Sequence, residues 1–422
     1  AAGSVLNLRQ DATLDLNAAG PGGVVTIGGL NGNRTILNSG GGSGADSTLV
    51  IGPANGTAGG TFTGSLQDGA GVLHVVKNGT GTQTQWGNNT YTGVTTINGS
   101  GLLAVEMLAS GGLPSSIGAS SRAPSTLVSG GASTAANPGL FGALSYFGSQ
   151  SIEIDRLLTF AGTAPNSGAR ILANGLYSLA TGTANHSALQ FTNSGPLAFA
   201  TPDIDQGLSL GGTSTGGNRF SPQITDNGTG RVSLFKLDAG LWHLNNDANS
   251  YTGVTNVFGG MLSASSGTTL PSASPLNILG GQFYSTGAFT RNATAVLTPG
   301  NLNEVQVGTG NSGFAAGASK LVVALGGGGT EQVLTWGNAE FNPTPFTLNS
   351  TVSFSDVEFR NPIDLNGATR TVSVLDNTLI GADFATMSGV LSGAGAASSL
   401  VKTGAGILFL GNANTYEGTT QI

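Results

Sequence analysis

Residues 398–422 read SSLVKTGAGILFLGNANTYEGTTQI, and the same order of residue types occurs twice more in the chain. Residues 71–104 read GVLHVVKNGTGTQTQWGNNTYTGVTTINGSGLLA, and residues 230–264 read GRVSLFKLDAGLWHLNNDANSYTGVTNVFGGMLSA. Lys77, Lys236 and Lys402 precede Tyr91, Tyr251 and Tyr416 by 14, 15 and 14 residues. Asn89, Asn249 and Asn414 stand two positions before those tyrosines, and Gly93, Gly253 and Gly418 two positions after. Agreement at this length in three places marks an internal repeat. The copies lie 160 and 165 residues apart, which points to a large unit of several turns of chain with a closing motif. Three globular domains would need Pro-rich or charged linkers between them, and there are none.

Working outward, the rest of the chain repeats the same local chemistry. Glu, Lys, Arg and Met are scarce, and Gly interrupts nearly every window at about 1 kcal/mol each in a helix. Short runs bounded by Gly and Asn dominate, such as Ala12 to Leu16, Val24 to Ile27, Leu321 to Leu325, Thr351 to Phe359 and Thr371 to Leu375. Runs of this length between turn residues are strands. A repeat of short strands cannot bury its apolar face alone and must stack on its neighbours. The expected fold is therefore all-β, a right-handed parallel β-helix, with one continuous β-solenoid segment over 1–422. Coils of roughly 20–25 residues are assumed, an ordinary solenoid repeat length. Gly and Asn would take the left-handed corner positions, and Asn89, Asn249 and Asn414 are assigned to them. The least repetitive stretches, 120–150 and 165–200, are expected to leave the coil.

Composition removes several classes of function. Only 8% of residues are charged against 38% apolar, so the chain should fold rather than remain disordered. Fourteen Lys and Arg in a chain of net charge −7 form no cluster that could replace counterions along a phosphate backbone, which excludes nucleic acid as a partner. No run of 18 apolar residues is present, so no transmembrane helical segment is expected. Cysteine is absent, which suits export of an unfolded chain across a bacterial envelope. The start at Ala1-Ala2-Gly3-Ser4 suggests a mature form or an excised segment.

The three segments resemble the passenger-associated transport repeat, also called the autotransporter-associated β-strand repeat. Its pattern runs approximately L-x-K-x-G-x-G-x-L-x-L-x-G-x-N-x-Y-x-G-x-T-x-I. The third copy follows it from Leu400 through Lys402, Gly404, Gly406, Leu408, Leu410, Gly411, Asn414, Tyr416, Gly418 and Thr420 to Ile422. The first copy departs where Thr82-Gln83-Thr84-Gln85-Trp86 replaces the apolar strand, and the second where Leu237-Asp238 replaces Thr-Gly. The resemblance implies β-helical coils in a bacterial cell-surface or secreted, extracellular protein. In autotransporters such repeats accompany export through an outer-membrane barrel, and they also occur in very large surface proteins. Ser4 to Leu8 resembles Ser274 to Ile278, so the two ends of the chain are nearly in phase. Self-association, head-to-tail or within a longer array, is the matching expectation.

Catalytic candidates on a β-helix would be carboxylates converging on one outer strand face. Asp203 with Asp205, Asp356 with Glu358, and Glu153 with Asp155 and Arg156 have the required alternation, but each is expected to be a solvated face or turn. His74, His186 and His243 occupy different repeat positions and have no metal-ligand spacing. Gly41 to Asp46 imitates one calcium nonapeptide, and Gly326 to Gly329 lacks the helix of a phosphate cradle. Sequons at Asn33, Asn55, Asn78, Asn98, Asn227 and Asn292 are mostly Asn-Gly-Thr turns. The motif tyrosines are expected to pack over the corner, and the motif lysines to lay their stems across the coil with the charge in water. No catalytic residue, metal or cofactor is expected. The expected function is a structural surface fibre serving adhesion, biofilm or an outer coat. An adhesin passenger that binds a surface glycan or neighbouring cell, with exposed aromatics around Phe141, Tyr146 and Phe147, is the alternative, and a carbohydrate-active enzyme the third reading.

Overall fold

Along Leu73–Lys77, burial alternates: Leu73, Val75 and Lys77 are fully buried, while His74 and Val76 face outward. That is the period of two of a half-buried strand. Val75 pairs in parallel register with Leu49 on one side and Thr95 on the other. Thr82–Gln85 forms a second face, paired to Gly60–Phe62 and Leu102–Val105. The third face continues the ladder Thr13–Asp15, Thr35–Asn38, Ser65–Asp68, whose Leu66 carbonyl accepts from the Thr90 amide at 3.0 Å. Each turn of chain visits three parallel ladders, which is a parallel β-helix.

The computed structural model describes residues 3–19, 22–41, 45–54, 56–133, 137–178, 184–326 and 331–422, in two compact units, 1–235 and 236–422. Asn55, the centre of the Gly41 to Asp46 run, residues 327–329, residues 179–183 of the expected 165–200 excursion and the side chain of His186 lie outside the described residues.

The core of each unit is a set of inward columns, one residue per coil. In the first unit Leu103, Leu144, Ile171 and Leu210 stack in register, none more than 3% exposed. In the second, Trp242, Leu262, Phe283, Phe314, Leu348 and Val374 form a column with no exposed surface. Full burial of such a side chain stabilises by about 1.5–3 kcal/mol. A strand of three to five residues contributes only one or two, so stability accrues from coil to coil.

Coil length varies, and the shortest coils coincide with the motif. Thr82 pairs with Leu102, Leu241 with Met261, and Leu400 with Thr420, each twenty residues on. Elsewhere Leu102 pairs with Ala143 and Gly313 with Thr347, forty-one and thirty-four residues on. The extra chain leaves as loops, among them the antiparallel hairpin Leu176–Ser178 with Ala184–His186. The excursion expected over 120–150 is narrower than that, because Leu127–Ser129 and Ala143–Tyr146 stay in the ladders with Leu127, Ala143, Leu144 and Tyr146 inside.

The corner assignment of the motif asparagines is corrected. The left-handed asparagines among the described residues are Asn166, Asn303, Asn349 and Asn366, not Asn89, Asn249 or Asn414. The motif asparagines act through their side-chain amides instead.

Candidate functional site: the repeat corner

Asn89 sits where the third face has no strand of its own and supplies the missing hydrogen bonds. Its Oδ1 accepts from the Leu66 amide of the preceding coil at 2.8 Å, and its Nδ2 donates to the Ser116 carbonyl of the following one at 2.9 Å. Asn249 Nδ2 donates to Thr269 O at 2.8 Å, and Asn414 Oδ1 accepts from Leu391 N at 2.8 Å. Two residues on, Tyr91 and Tyr251 are fully buried, as expected of a ring packed on the corner. Each hydroxyl bonds the threonine four positions later: Tyr91 to Thr95 at 2.7 Å, Tyr251 to Thr255 at 2.8 Å, and Tyr416 to Thr420. Thr255 continues to Ser274 Oγ at 2.8 Å, which donates to Gly253 O at 2.7 Å, closing a buried chain. Burial pushes the Tyr91 hydroxyl far up and that of Tyr251 up to about 12, although the threonine bonds oppose it. Tyr416 is half-buried.

The motif glycine lets successive coils touch. A Cβ on Gly93 would lie 2.2 Å from Leu73 O, and one on Gly418 would lie 2.4 Å from Ser398 O, each twenty residues earlier.

Two of the three motif lysines are not wet, which corrects the expectation for them, whereas Lys402 is partly exposed. Lys77 and Lys236 have no exposed surface. Lys77 occupies an inward position between Ile51 and Ile97, its stem replacing an aliphatic side chain. Its Nζ donates to Asn78 O at 2.5 Å. Lys236 Nζ donates to Leu237 O, Asp238 O and Gly259 O at 2.5, 2.8 and 3.0 Å, and Lys402 Nζ to Gly404 O at 2.5 Å. Strands end in turns whose carbonyls have no ladder partner, and a buried carbonyl needs a donor; the ammonium is that donor. Desolvation lowers Lys77 to about 8 and Lys236 to about 7, the latter partly opposed by Asp238.

Two buried arginines complete the corners, and sequence reasoning did not find their role. Arg156 donates to Ala109 O at 2.9 Å, Ser120 Oγ at 2.6 Å, Gly118 O at 2.9 Å and Leu113 O at 3.4 Å. Arg291 donates to Ser274 O, Pro271 O and Ser266 Oγ at 2.5, 2.9 and 2.9 Å. Gly118 lies against the Tyr91 ring, and Ser274 is the end of the Tyr251 hydroxyl chain, so both cations brace the coil that covers a motif tyrosine. Burial lowers both guanidinium pKa values, that of Arg291 to about 10.

The carboxylate candidates serve coil contacts. Asp203 is left-handed and accepts from Thr229 N at 2.8 Å, and Asp205 accepts from Arg231 N at 2.7 Å. Asp155 accepts from Gly111 N at 2.7 Å, while Glu153 points outward. Asp356 and Glu358 do share a face, but Lys320 bridges them at 3.2 and 2.9 Å. Burial pushes Glu358 up, yet bonds from Lys320, Arg360 and Ser388 outweigh it and hold the carboxyl at about 2. His74 Nδ1 accepts from Val94 N at 3.0 Å, and His243 meets Tyr284 edge-on at 6.2 Å. Among the described residues no group of three His, Asp or Glu could hold a metal ion, and no helix is long and apolar enough to cross a membrane. Asn227 of the sequons is buried, its Nδ2 donating to Thr201 O at 2.9 Å. The exposed aromatic cluster is also corrected: Phe141 and Tyr146 are buried, and Phe147 packs on Trp86 at 5.3 Å.

Fold and corner together define a class: a parallel β-helix whose shortest coils carry a Lys–Asn–Tyr–Gly closing motif. The passenger-associated-transport-repeat family model matches at residues 75–105, 234–264 and 400–422, so all three copies are repeats of that family. The chain is similar to the adhesin BmaC autotransporter of Brucella suis biovar 1 (strain 1330), 32% identical over 342 residues, which cover 74% of this chain and 9% of that relative. The chain thus spans a small part of the relative's length. No solved structure matches it.

Proposed function

We propose that the chain is part of the surface-displayed passenger of an autotransporter-type adhesin, a non-catalytic β-helix that carries contact surfaces away from the bacterium to a neighbouring cell or its glycans. The observation that carries this reading is how the motif side chains are used. Tyr91, Tyr251, Lys77 and Lys236 are all buried in the coil interior, and the Tyr91–Thr95 and Tyr251–Thr255 pairs and Lys236 bond on to the following coil at Ile117 O, Ser274 Oγ and Gly259 O. A motif spent on coil closure makes a scaffold that lengthens by repetition, while specificity falls to the loops between motifs. The similarity to an adhesin passenger supports the same reading. So does the use of the carboxylates: Glu358 has both oxygens engaged by Lys320, Arg360 and Ser388, and Asp203, Asp205 and Asp155 each cap an amide of another coil.

Beads coated with the purified chain, applied to cultured epithelial monolayers, test the proposal. They should adhere more than beads coated with albumin or with the heat-denatured chain. Equal retention of all three would overturn it.

A further inference from the structure

In the second unit a cleft of about 290 Å3 lies between the segment Pro343-Thr344-Pro345 and the start of the strand Arg370–Val374, with Trp336 beneath. Trp336 is buried, its indole Nε1 donating to Pro343 O at 3.0 Å. Arg370 lies over that ring, its guanidinium carbon 5.9 Å from the centroid. Arg370 Nε donates to Leu365 O at 2.9 Å and Nη2 to Trp336 O, which fixes the plane of the group. Among the described residues Nη1 has no hydrogen-bond partner and no carboxylate lies within 4.0 Å of the group, Asp364 acting on it only from farther off.

Arg156 and Arg291 are spent on carbonyls and hydroxyls, while Arg34, Arg122 and Arg360 each have a carboxylate within 4.0 Å, although the buried Nε of Arg34 has no partner. Arg370 differs from those three in having its plane fixed by two backbone carbonyls and no carboxylate at that distance. The cleft walls add the Thr344, Thr369 and Thr371 side chains and the apolar faces of Pro343 and Pro345.

We propose that this cleft binds an acidic monosaccharide unit of a surface glycan, a uronic or sialic acid, with its carboxylate on Arg370 and its ring between the prolines and the threonine hydroxyls. This rests on the adhesin reading and names its ligand class. A planar guanidinium with one spare edge matches a carboxylate, and mixed apolar and hydroxyl walls match a sugar ring. A phosphate ligand would call for further cations or a row of backbone amides, which the lining does not supply. The volume is at the small end for ligand sites and suits one sugar unit.

Titration calorimetry of the full chain with methyl glucuronide and methyl glucoside tests this. The glucuronide should bind saturably and the glucoside at least tenfold more weakly. Arg370→Gln should weaken glucuronide binding tenfold or more. Because that variant also loses two internal bonds, Thr369→Phe, an exposed substitution that fills the cleft, should abolish binding with an unchanged melting temperature. No saturable glucuronide binding, or binding unaffected by both variants, overturns the proposal. Glucuronide binding by a chain whose beads do not adhere would support the cleft and overturn the adhesin reading; adherent beads without glucuronide binding would do the reverse.

Discussion

Lys236 Nζ lies 3.0 Å from the carbonyl oxygen of Gly259, so the ammonium at the end of one strand holds the turn of the next coil. The position recurs as Lys77 and Lys402, each donating to one turn carbonyl, whereas the Lys236 ammonium sits among three. Two consequences follow for pH.

Lys236 has a folded pKa of about 7, below its ordinary value, so between about pH 7 and 10.5 the unfolded chain binds the extra proton and stability rises with pH. Tyr251 has a folded pKa of about 12, above its ordinary value. It contributes stability below about pH 10 that is lost as pH rises toward 12. Denaturation midpoints should therefore rise from neutral pH, peak near pH 10 and then fall. Lys236→Met should flatten the rising limb by up to a few kcal/mol; an unchanged limb in that variant would refute the assignment.

The tyrosine hydroxyls should differ by position. Removing a buried hydroxyl that bonds a threonine costs about 1–2 kcal/mol. Tyr91→Phe and Tyr251→Phe should lower urea midpoints accordingly, while Tyr416→Phe, at a half-buried site, should change them little.

Arg156→Met should destabilise the first unit by about 1–3 kcal/mol, since it leaves the Ala109 carbonyl without a donor inside the coil, whereas Gly118 O keeps its bond from Ser115 Oγ. Hydrogen exchange should show the loss first around Tyr91 and residues 109–120. Uniform protection matching the parent chain would contradict it.

The polar strand of the first copy holds one useful and one costly glutamine. Gln83 reaches past the bare backbone of Gly60 to Leu30, where its Oε1 accepts from the amide at 3.1 Å and its Nε2 donates to the carbonyl at 2.9 Å. Gln85, equally buried between Phe62 and Val105, has no partner for either atom. Gln85→Leu should raise stability by about 1–3 kcal/mol, and Gln83→Leu should lower it by a similar amount. Thermal melts of the two variants, shifting in opposite directions, check the distinction.

What the sequence made legible was whatever is local. Period-two burial in Leu73–Lys77 and Val24–Ile27, the twenty-residue closing motif and the packed tyrosine all follow from neighbouring residues. The roles that escaped are carried by partners far along the chain. Lysine is ordinarily an exposed residue, and nothing near Lys236 announces the Gly259 carbonyl twenty-three residues on. Arg156 finds its acceptors 36 to 47 residues earlier, across a coil whose length no local pattern reports. Asn tolerates left-handed geometry, which suits Asn89 to a backbone corner by residue type alone, whereas its amide repairs a ladder between the coils before and after it.

Cross-linking of in-register residues on neighbouring coils tests the central claim most directly, and a cysteine-free chain is a clean background. Asn256 and Asn277 pair in parallel register, with their amides 3.0 Å apart. A chain carrying Asn256→Cys and Asn277→Cys should form an intramolecular disulfide in full under mild oxidation while folded, and Asn256→Cys with Ser263→Cys, on different ladders, should not. Free thiols in the first pair, or cross-linking of the second alone, would contradict the stacked coils.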